Sequence, residues 1–319
     1  MTVLVTGGAG FIGSNLADRL IALGHRVVVV DNESTGLRAN VPPEAHYIKG
    51  DVSKIGDLEQ AFDVGLDAVC HIAGQVSLIR SFSDPTIDLR TNVEGTLNVL
   101  QLCLKYRVPR LVYAGSMTAY GNTNVVPTPE DTPCGPVSYY GITKFAAESY
   151  VRATAARPDL DFTFNVTCFR MFNVYGPRQA VDNPYQGVLG IFLGNVLRGE
   201  PITIFGDGEQ SRDFVYIDDV VDAWAGVLNN PASYGRVFNL GSGRQTTIND
   251  LARIVVDHIN GRRDYPIVHA ATRPGEMRNV QADISQARSV LGWQPRVSFE
   301  HGLAEMTRWA ASTYAVTKQ

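Results

Sequence analysis

The chain has 319 residues, 45% of them hydrophobic and 19% charged, with a net charge of −4 and a sequence pI of about 5.9. That length supplies the interior for one large unit or two fused ones, and the composition excludes disorder and fibrous repeats. No run of Lys and Arg gives the electrostatic footprint of a nucleic-acid binder. No apolar stretch approaches the roughly 20 residues that span a bilayer; Val27 to Val30, for example, is cut at once by Asp31.

A β-rich run, Thr2 to Thr6, begins the chain without the basic and apolar segments of a signal peptide, which points to the cytoplasm. A glycine turn, a helical stretch over Phe11 to Leu23 and a second β-rich run, Val27 to Val30, read as a βαβ unit. Leu16, Leu20 and Leu23 fall on one helical face, against strands that are apolar on both sides, so the sheet is predicted to be parallel. The alternation continues through strands at His46 to Ile48, Ala68 to His71, Leu111 to Ala114 and Thr163 to Phe169. Helices are expected over Ser53 to Phe62, Pro85 to Tyr106 and Tyr139 to Ala156. The class is α/β, a doubly wound parallel (Rossmann) sheet. After Asn173 the texture changes to Gly, Pro and Asn turns. The expected organisation is a dinucleotide-binding domain over 1–172, joined by part of 214–258, and a smaller C-terminal substrate-binding domain over 173–319. Cys70, Cys103, Cys134 and Cys168 are scattered without a Cys-x-x-Cys pair, so core thiols are expected rather than disulfides or a metal site.

The turn Thr6-Gly7-Gly8-Ala9-Gly10-Phe11-Ile12-Gly13 lies between the first strand and first helix, where a dinucleotide pyrophosphate meets backbone N–H groups. Glycines suit it because the backbone must turn tightly and approach phosphates without a Cβ in the way. Alone, such a turn is equally compatible with no ligand. Asp31 ends the second strand 18 positions after Gly13, near the roughly 20-residue offset of an acid that binds an adenosine ribose. A carboxylate there accepts from both ribose hydroxyls and repels a 2′-phosphate, which favours NAD over NADP. Further on, Ser138-Tyr139-Tyr140-Gly141-Ile142-Thr143-Lys144 opens a predicted helix and sets Tyr140 and Lys144 one turn apart on one face. A nearby ammonium favours the phenolate of a tyrosine whose ordinary pKa is about 10, so Lys144 is expected to bring Tyr140 within reach of proton transfer. Ser116 sits just past the fifth strand, where strand C-termini converge on a ligand. Each of these matches taken singly also fits an ordinary turn or surface pair; their joint placement points to chemistry.

Together, Gly7-x-x-Gly10-x-x-Gly13, Asp31, Ser116 and Tyr140-x-x-x-Lys144 resemble the extended short-chain dehydrogenase/reductases that act on nucleotide sugars, in particular the UDP-sugar 4-epimerase type. The resemblance covers nearly the whole chain. It implies NAD as cofactor, held by Gly7, Gly10, Phe11, Ile12, Gly13, Asp31, Asn32, Ser34, Thr35, Gly36, Asp51, Val52, Ile72, Ala73, Gln75, Asn92, Tyr140, Lys144 and Met171. It implies Tyr140, Lys144 and Ser116 as the catalytic set. In the C-terminal unit, Arg170 to Arg178, Gly206 to Phe214 and Arg273 to Glu276 are similar to the UDP-sugar branch. They imply Asn173, Arg212 and Arg273 at the diphosphate and Glu276 at the uridine ribose, with Ser116, Met117, Thr118, Val188 and Val280 around the sugar. Guanidinium forks suit phosphate oxygens, although arginines spread over such a stretch equally fit a charged surface.

Sugar-nucleotide 4,6-dehydratases, which this chain also resembles, carry an acidic pair directly after the active-site hydroxyl; here Met117 and Thr118 stand there, and neither acts as a carboxylate acid or base. The resemblance therefore implies 4-epimerisation of a UDP-hexose through a transient 4-keto sugar. Ala180 replaces the Arg of relatives that bind a C6 carboxylate, which implies a neutral C6. Val280 is smaller than the Tyr of strict hexose enzymes, which implies acceptance of N-acetylated sugars. A UDP-glucuronate 4-epimerase, a cofactor-releasing sugar-nucleotide reductase and a non-catalytic NAD sensor are the alternatives. The family also implies a homodimer, paired through the helices of 85–106 and 139–156.

Overall fold

The computed structural model describes residues 1–182, 187–261, 264–272 and 277–315. In chain order its strands are β1 (Thr2–Thr6), β2 (Arg26–Asp31), β3 (His46–Lys49), β4 (Ala68–His71), β5 (Arg110–Ser116), β6 (Asn165–Met171), β7 (Asn173–Tyr175), β8 (Ile202–Phe205), β9 (Ser211–Arg212), β10 (Phe214–Tyr216), β11 (Arg236–Leu240), β12 (Thr246–Thr247) and β13 (Ile267–Ala270). The helices are α1 (Phe11–Ala22), α2 (Ile55–Phe62), α3 (Leu78–Ser83), α4 (Pro85–Asp88), α5 (Gly95–Lys105), α6 (Tyr139–Ala155), α7 (Val188–Arg198), α8 (Ile217–Gly226), α9 (Ile248–Ile259), α10 (Ser285–Leu291) and α11 (Phe299–Ala315).

Val3, Leu4 and Val5 are fully buried, as a strand covered on both faces requires. Among the described residues seven strands make one parallel sheet in the order β11-β6-β5-β4-β1-β2-β3. The order reverses between β1 and β4, and the crevice at the carboxyl ends of these strands is where such sheets take ligands. The predicted strands of the first half and its helices other than that over Pro85 to Tyr106 are present, with ends moved by no more than two residues. The seventh strand, β11, comes from the C-terminal half and lies beside β6 with Phe238 opposite Phe169. One core runs from Val3 and Leu16 through Phe169, Trp224 and Phe238 to Leu251 and Leu303, and a second, on the other face, includes Leu4, Phe62, Val99 and Val151. The C-terminal half thus shares the core of the sheet. Of the four thiols, Cys70, Cys103 and Cys168 are buried and Cys134 half-buried, all free.

The helix expected over Pro85 to Tyr106 is broken. Asp84 caps α4 by accepting from the Ile87 amide, Pro85 occupies the first turn, and a π-helical turn over Leu89–Glu94 precedes α5. The π turn carries buried Asn92 inward, where its Oδ1 accepts from the Gln75 amide at 2.8 Å and its Nδ2 donates to Thr143 Oγ1 at 3.1 Å. Widened turns of this kind gather at functional sites, and no residue pattern announces one. Elsewhere Asp213, fully buried, accepts from the amides of Ser242, Gly243 and Ala282 and from the Ser242 hydroxyl at 2.6–2.9 Å, fastening the segment after β11 to β10.

The first turn of the sheet leaves no room for side chains. Gly7 has φ +70°, and a Cβ on Gly13 would lie 2.2 Å from the Gly7 carbonyl oxygen. Gly13→Ala must push α1 off the turn. The expected loss of stability, read by urea unfolding, is about 2–3 kcal/mol; an unchanged midpoint would contradict the tight crossing.

Candidate functional site

At the carboxyl end of β1, Gly10 caps α1 without a side-chain hydrogen bond, leaving amides of the first turn available for an anion. Phe11 and Ile12, half-buried, begin that turn. Asp31 closes β2 and is 8% exposed. Its Oδ2 accepts from the Ala9 amide at 3.0 Å and its Oδ1 from the Glu33 amide at 2.7 Å, while burial pushes its carboxyl up. Asp31 therefore ties the glycine turn to the end of β2, and each oxygen keeps a further lone pair. Gly36 passes so close that a Cβ would come within 2.7 Å of the Ala9 backbone. Asn32 donates to Asp51 Oδ2 at 3.0 Å and accepts from the Ser34 amide at 3.0 Å; Ser34 and Thr35 are exposed and Val52 is buried. The amides of Ile72 and Ala73 donate to Thr6 O at 3.3 and 3.0 Å. Gln75 and Asn92 meet across the start of the π turn. These contacts join the glycine turn to the end of β2, and the end of β1 to the segment after β4 and the π turn.

Ser138 caps α6 by accepting from the Gly141 amide at 3.1 Å, which sets Tyr140 and Lys144 one turn apart as expected. Ser116 ends β5, opposite Met171 in the register with β6. The Ser116 Oγ accepts from the Thr118 amide at 3.3 Å and from the Thr118 hydroxyl at 2.9 Å, so its own proton is directed elsewhere. Burial pushes the Tyr140 phenol up to about 12, the Ser116 hydroxyl draws it back and the Asp88 charge raises it further. In the protein alone burial is the largest influence on that phenol. Lys144, 5% exposed, is itself drawn down to about 8 by burial, against the opposing charges of Glu148 and Asp88, and its Nζ stands 4.7 Å from the centroid of the Tyr113 ring.

Beside this trio opens a cleft of about 960 Å³, open solvent at its mouth included. Met117, Thr118, Asn173, Val188 and Arg212 line it, as expected, together with Leu78, Val137, Ser138, Phe192, Thr203, Ile204, Phe205, Gln210, Ile248 and Met277. The latter group escaped the sequence reading because short β8 residues and the α7 face carry the same apolar pattern as core. Asn173 Oδ1 is buried without a hydrogen-bond partner, an orphan that a ligand would satisfy. Arg212 is braced by the carbonyls of Ser211 at 2.7 Å and Met277 at 2.8 Å. Val280 is 2% exposed and packs in the core rather than in the cleft wall, so it limits a sugar substituent only through its neighbours. Arg273 and Glu276 lie outside the described residues.

Asp31→Ala would strip two backbone amides of their acceptor. A loss of about 1–3 kcal/mol is expected in urea unfolding before any dinucleotide is added, and unaltered stability would show that the tie is not formed.

The chain is 38% identical over 312 residues to the UDP-glucose 4-epimerase of Mycolicibacterium smegmatis, covering 96% of this chain and 97% of that one. Its fold superposes with a TM-score of 0.92, at 38% identity, on the crystal structure of UDP-glucose 4-epimerase from Thermotoga maritima with UDP-glucose, over 98% of this chain and 100% of that one. For the Thermus thermophilus UDP-glucose 4-epimerase in complex with NAD the TM-score is 0.89 at 33% identity, with 97% and 98% covered. Residues 3–241 match the model of the NAD dependent epimerase/dehydratase family, and with these full-length relatives the chain belongs to that family.

Proposed function

We propose that this protein is a UDP-hexose 4-epimerase, interconverting UDP-glucose and UDP-galactose and accepting their N-acetylated forms, with NAD retained through turnover. The observation that carries the reading is the pairing of buried Ser116 and Lys144 and half-buried Tyr140 with a cleft wall that, among the described residues, contains no Asp or Glu. Proton transfer at a hydroxyl is provided for; removal of a carbon-bound proton by a carboxylate is not.

The crowded glycine turn fits a dinucleotide, because a Cβ at Gly7 or Gly13 would collide with the backbone that walls the turn. Gly10, Phe11 and Ile12 would present amides to its diphosphate, Asp31 would accept from the adenosine ribose, and Lys144 would reach the second ribose. When bound, the nicotinamide supplies a hydride acceptor and donor for the sugar carbon. The chain supplies the rest. Tyr140 takes the proton of the C4 hydroxyl and returns it after the sugar has presented its other face. Ser116 holds the same oxygen, its orientation set by Thr118. Arg212 and Asn173 hold the diphosphate while the sugar turns, which keeps the reacting carbon in place.

We infer a cytoplasmic homodimer. Leu89, Tyr139, Ile142 and Tyr150 are 46–54% exposed on the π turn and α6, and Phe82 beside them stacks its ring 5.5 Å from that of Tyr139. An apolar face of this kind is suited to a second copy. Ile142→Asp should yield monomers by light scattering, and a wild-type chain that is already monomeric would refute the pairing.

Incubated with UDP-glucose or UDP-N-acetylglucosamine and no added cofactor, the protein should form the C4 epimer of each without net NADH. Tyr140→Phe should lower turnover by about 10²–10⁴-fold while keeping bound NAD. Full activity in that variant would reject the mechanism, and failure of the N-acetylated substrate alone would restrict the specificity.

A further inference from the structure

Lys144 carries a charge into a place that does not suit one. Burial alone drives an ammonium toward neutrality, and the aromatic face of Tyr113 returns only part of what hydration gave. Two carboxylates oppose that trend, Glu148 and Asp88. Glu148 is committed elsewhere: both of its oxygens are held by Arg170, at 3.0 and 2.7 Å, so that pair is neutral as a unit. Asp88 is not committed. It is fully buried, its Oδ1 accepts from Gln75 Nε2 at 2.6 Å, and its Oδ2 has no hydrogen-bond partner. It closes α4, which packs on α6, and Gln75, which holds it, follows Gly74, whose Cβ position lies 3.6 Å from Lys144 Nζ; its charge opposes the burial of Lys144.

We propose that Asp88 is a positioning residue, the buried counter-charge that keeps Lys144 an ammonium and that Gln75 holds in place. With Glu148 and Arg170 cancelling each other, Asp88 and Lys144 complete a balance in which neither side of α6 strands a net charge. Asp88 is faced from α6 by Lys144 and Tyr140, from α3 by Arg80 and Ser81, and from the segment after β4 by Gln75. Lys144 is faced by Glu148 on its own helix, by Cys168 of β6, by His71 of β4 and by the Tyr113 ring of β5. Burial pushes the Asp88 carboxyl up to about 6, so the counter-charge is present above that pH and fades below it. The bearing on catalysis rests on the role proposed for Lys144, whereas the pairing itself is measurable without sugar or cofactor.

The chain has five lysines, so protein labelled with ¹³C at lysine Cε gives few signals, and Lys144 is the one missing from Lys144→Met. In the wild type that signal should titrate near pH 8 and show a second inflection near pH 6, where Asp88 takes a proton. In Asp88→Asn the main midpoint should fall by about one unit and the inflection vanish, with the other lysines unmoved. In the NAD-loaded variant kcat should drop by about fivefold at pH 8, least at pH 6, with KM unchanged. A wild-type signal without the inflection overturns the pairing whether or not the variant folds. An unchanged midpoint in folded Asp88→Asn overturns it as well, and a kcat loss equal at every pH overturns the positioning role. If the titrations behave as stated and no UDP-sugar is epimerised, the proposed function falls and the pairing stands.

Discussion

The arrangement of the site depends on one buried ion pair. Arg170 on β6 meets Glu148 on α6 through two hydrogen bonds, with the side chains 3% and 1% exposed. Taking two such ions out of water is costly, and only paired geometry offsets it. Helix α6 therefore has one rotation and one depth at which neither charge is stranded. Lys144 lies one turn before Glu148 and Tyr140 one turn before that, so the pair fixes the face that both present. Arg170 extends the constraint outward. It lies 4.7 Å over the Tyr120 ring and donates to the Glu130 carbonyl at 3.0 Å. Tyr120 in turn donates to Asn239 on β11, whose amide side chain reaches the Thr128 and Asp283 carbonyls. One network thus spans the catalytic helix, the last strand of the sheet and the C-terminal segment.

That span explains which features were readable from residue order. The glycine turn, Asp31 and the Tyr140/Lys144 pair express themselves through spacing within one turn or one βαβ unit, and such spacing survives in a linear string. The parallel sheet was legible for the same reason, since its strands are apolar on both faces. The π turn was not legible, because it is imposed by Asn92 bonding to Gln75 and Thr143, partners 17 and 51 positions away. Thr203 and Phe205 were also hidden: on a short strand paired with β13, residues facing a cleft and residues facing a core look alike. Val280 shows the converse. Its resemblance placed it at the sugar, whereas packing draws it into the core.

The phenol illustrates why residue identity alone misjudged electrostatics. A lysine one turn away suggests an acidic tyrosine, but the same burial that excludes water from the reacting oxygen raises the cost of its charge. Lys144 suffers in the same way, and in a site this dry its field depends on what balances it. Local order in the dinucleotide crevice is set differently. Asp31 binds the amides on either side of the crevice edge, so the turn is shaped by the protein before any ligand adds to it, which lowers the ordering that binding must supply.

Position 118 connects these points to the choice of reaction. A carboxylate there would face the sugar as an acid or base. Thr118 instead turns its hydroxyl and its amide onto the Ser116 Oγ, filling the acceptor sites of that oxygen and leaving its single proton for one acceptor at a time, the phenol or the substrate oxygen. The side chain that replaces an eliminating acid therefore orients the hydroxyl used for proton exchange. Met117 adds only apolar wall, so in the proposed reaction the sugar meets no carboxylate among the described lining residues when its C5 hydrogen becomes acidic in the 4-keto form. An oxidised sugar in this cleft is left with reduction as its outlet, from one face or the other.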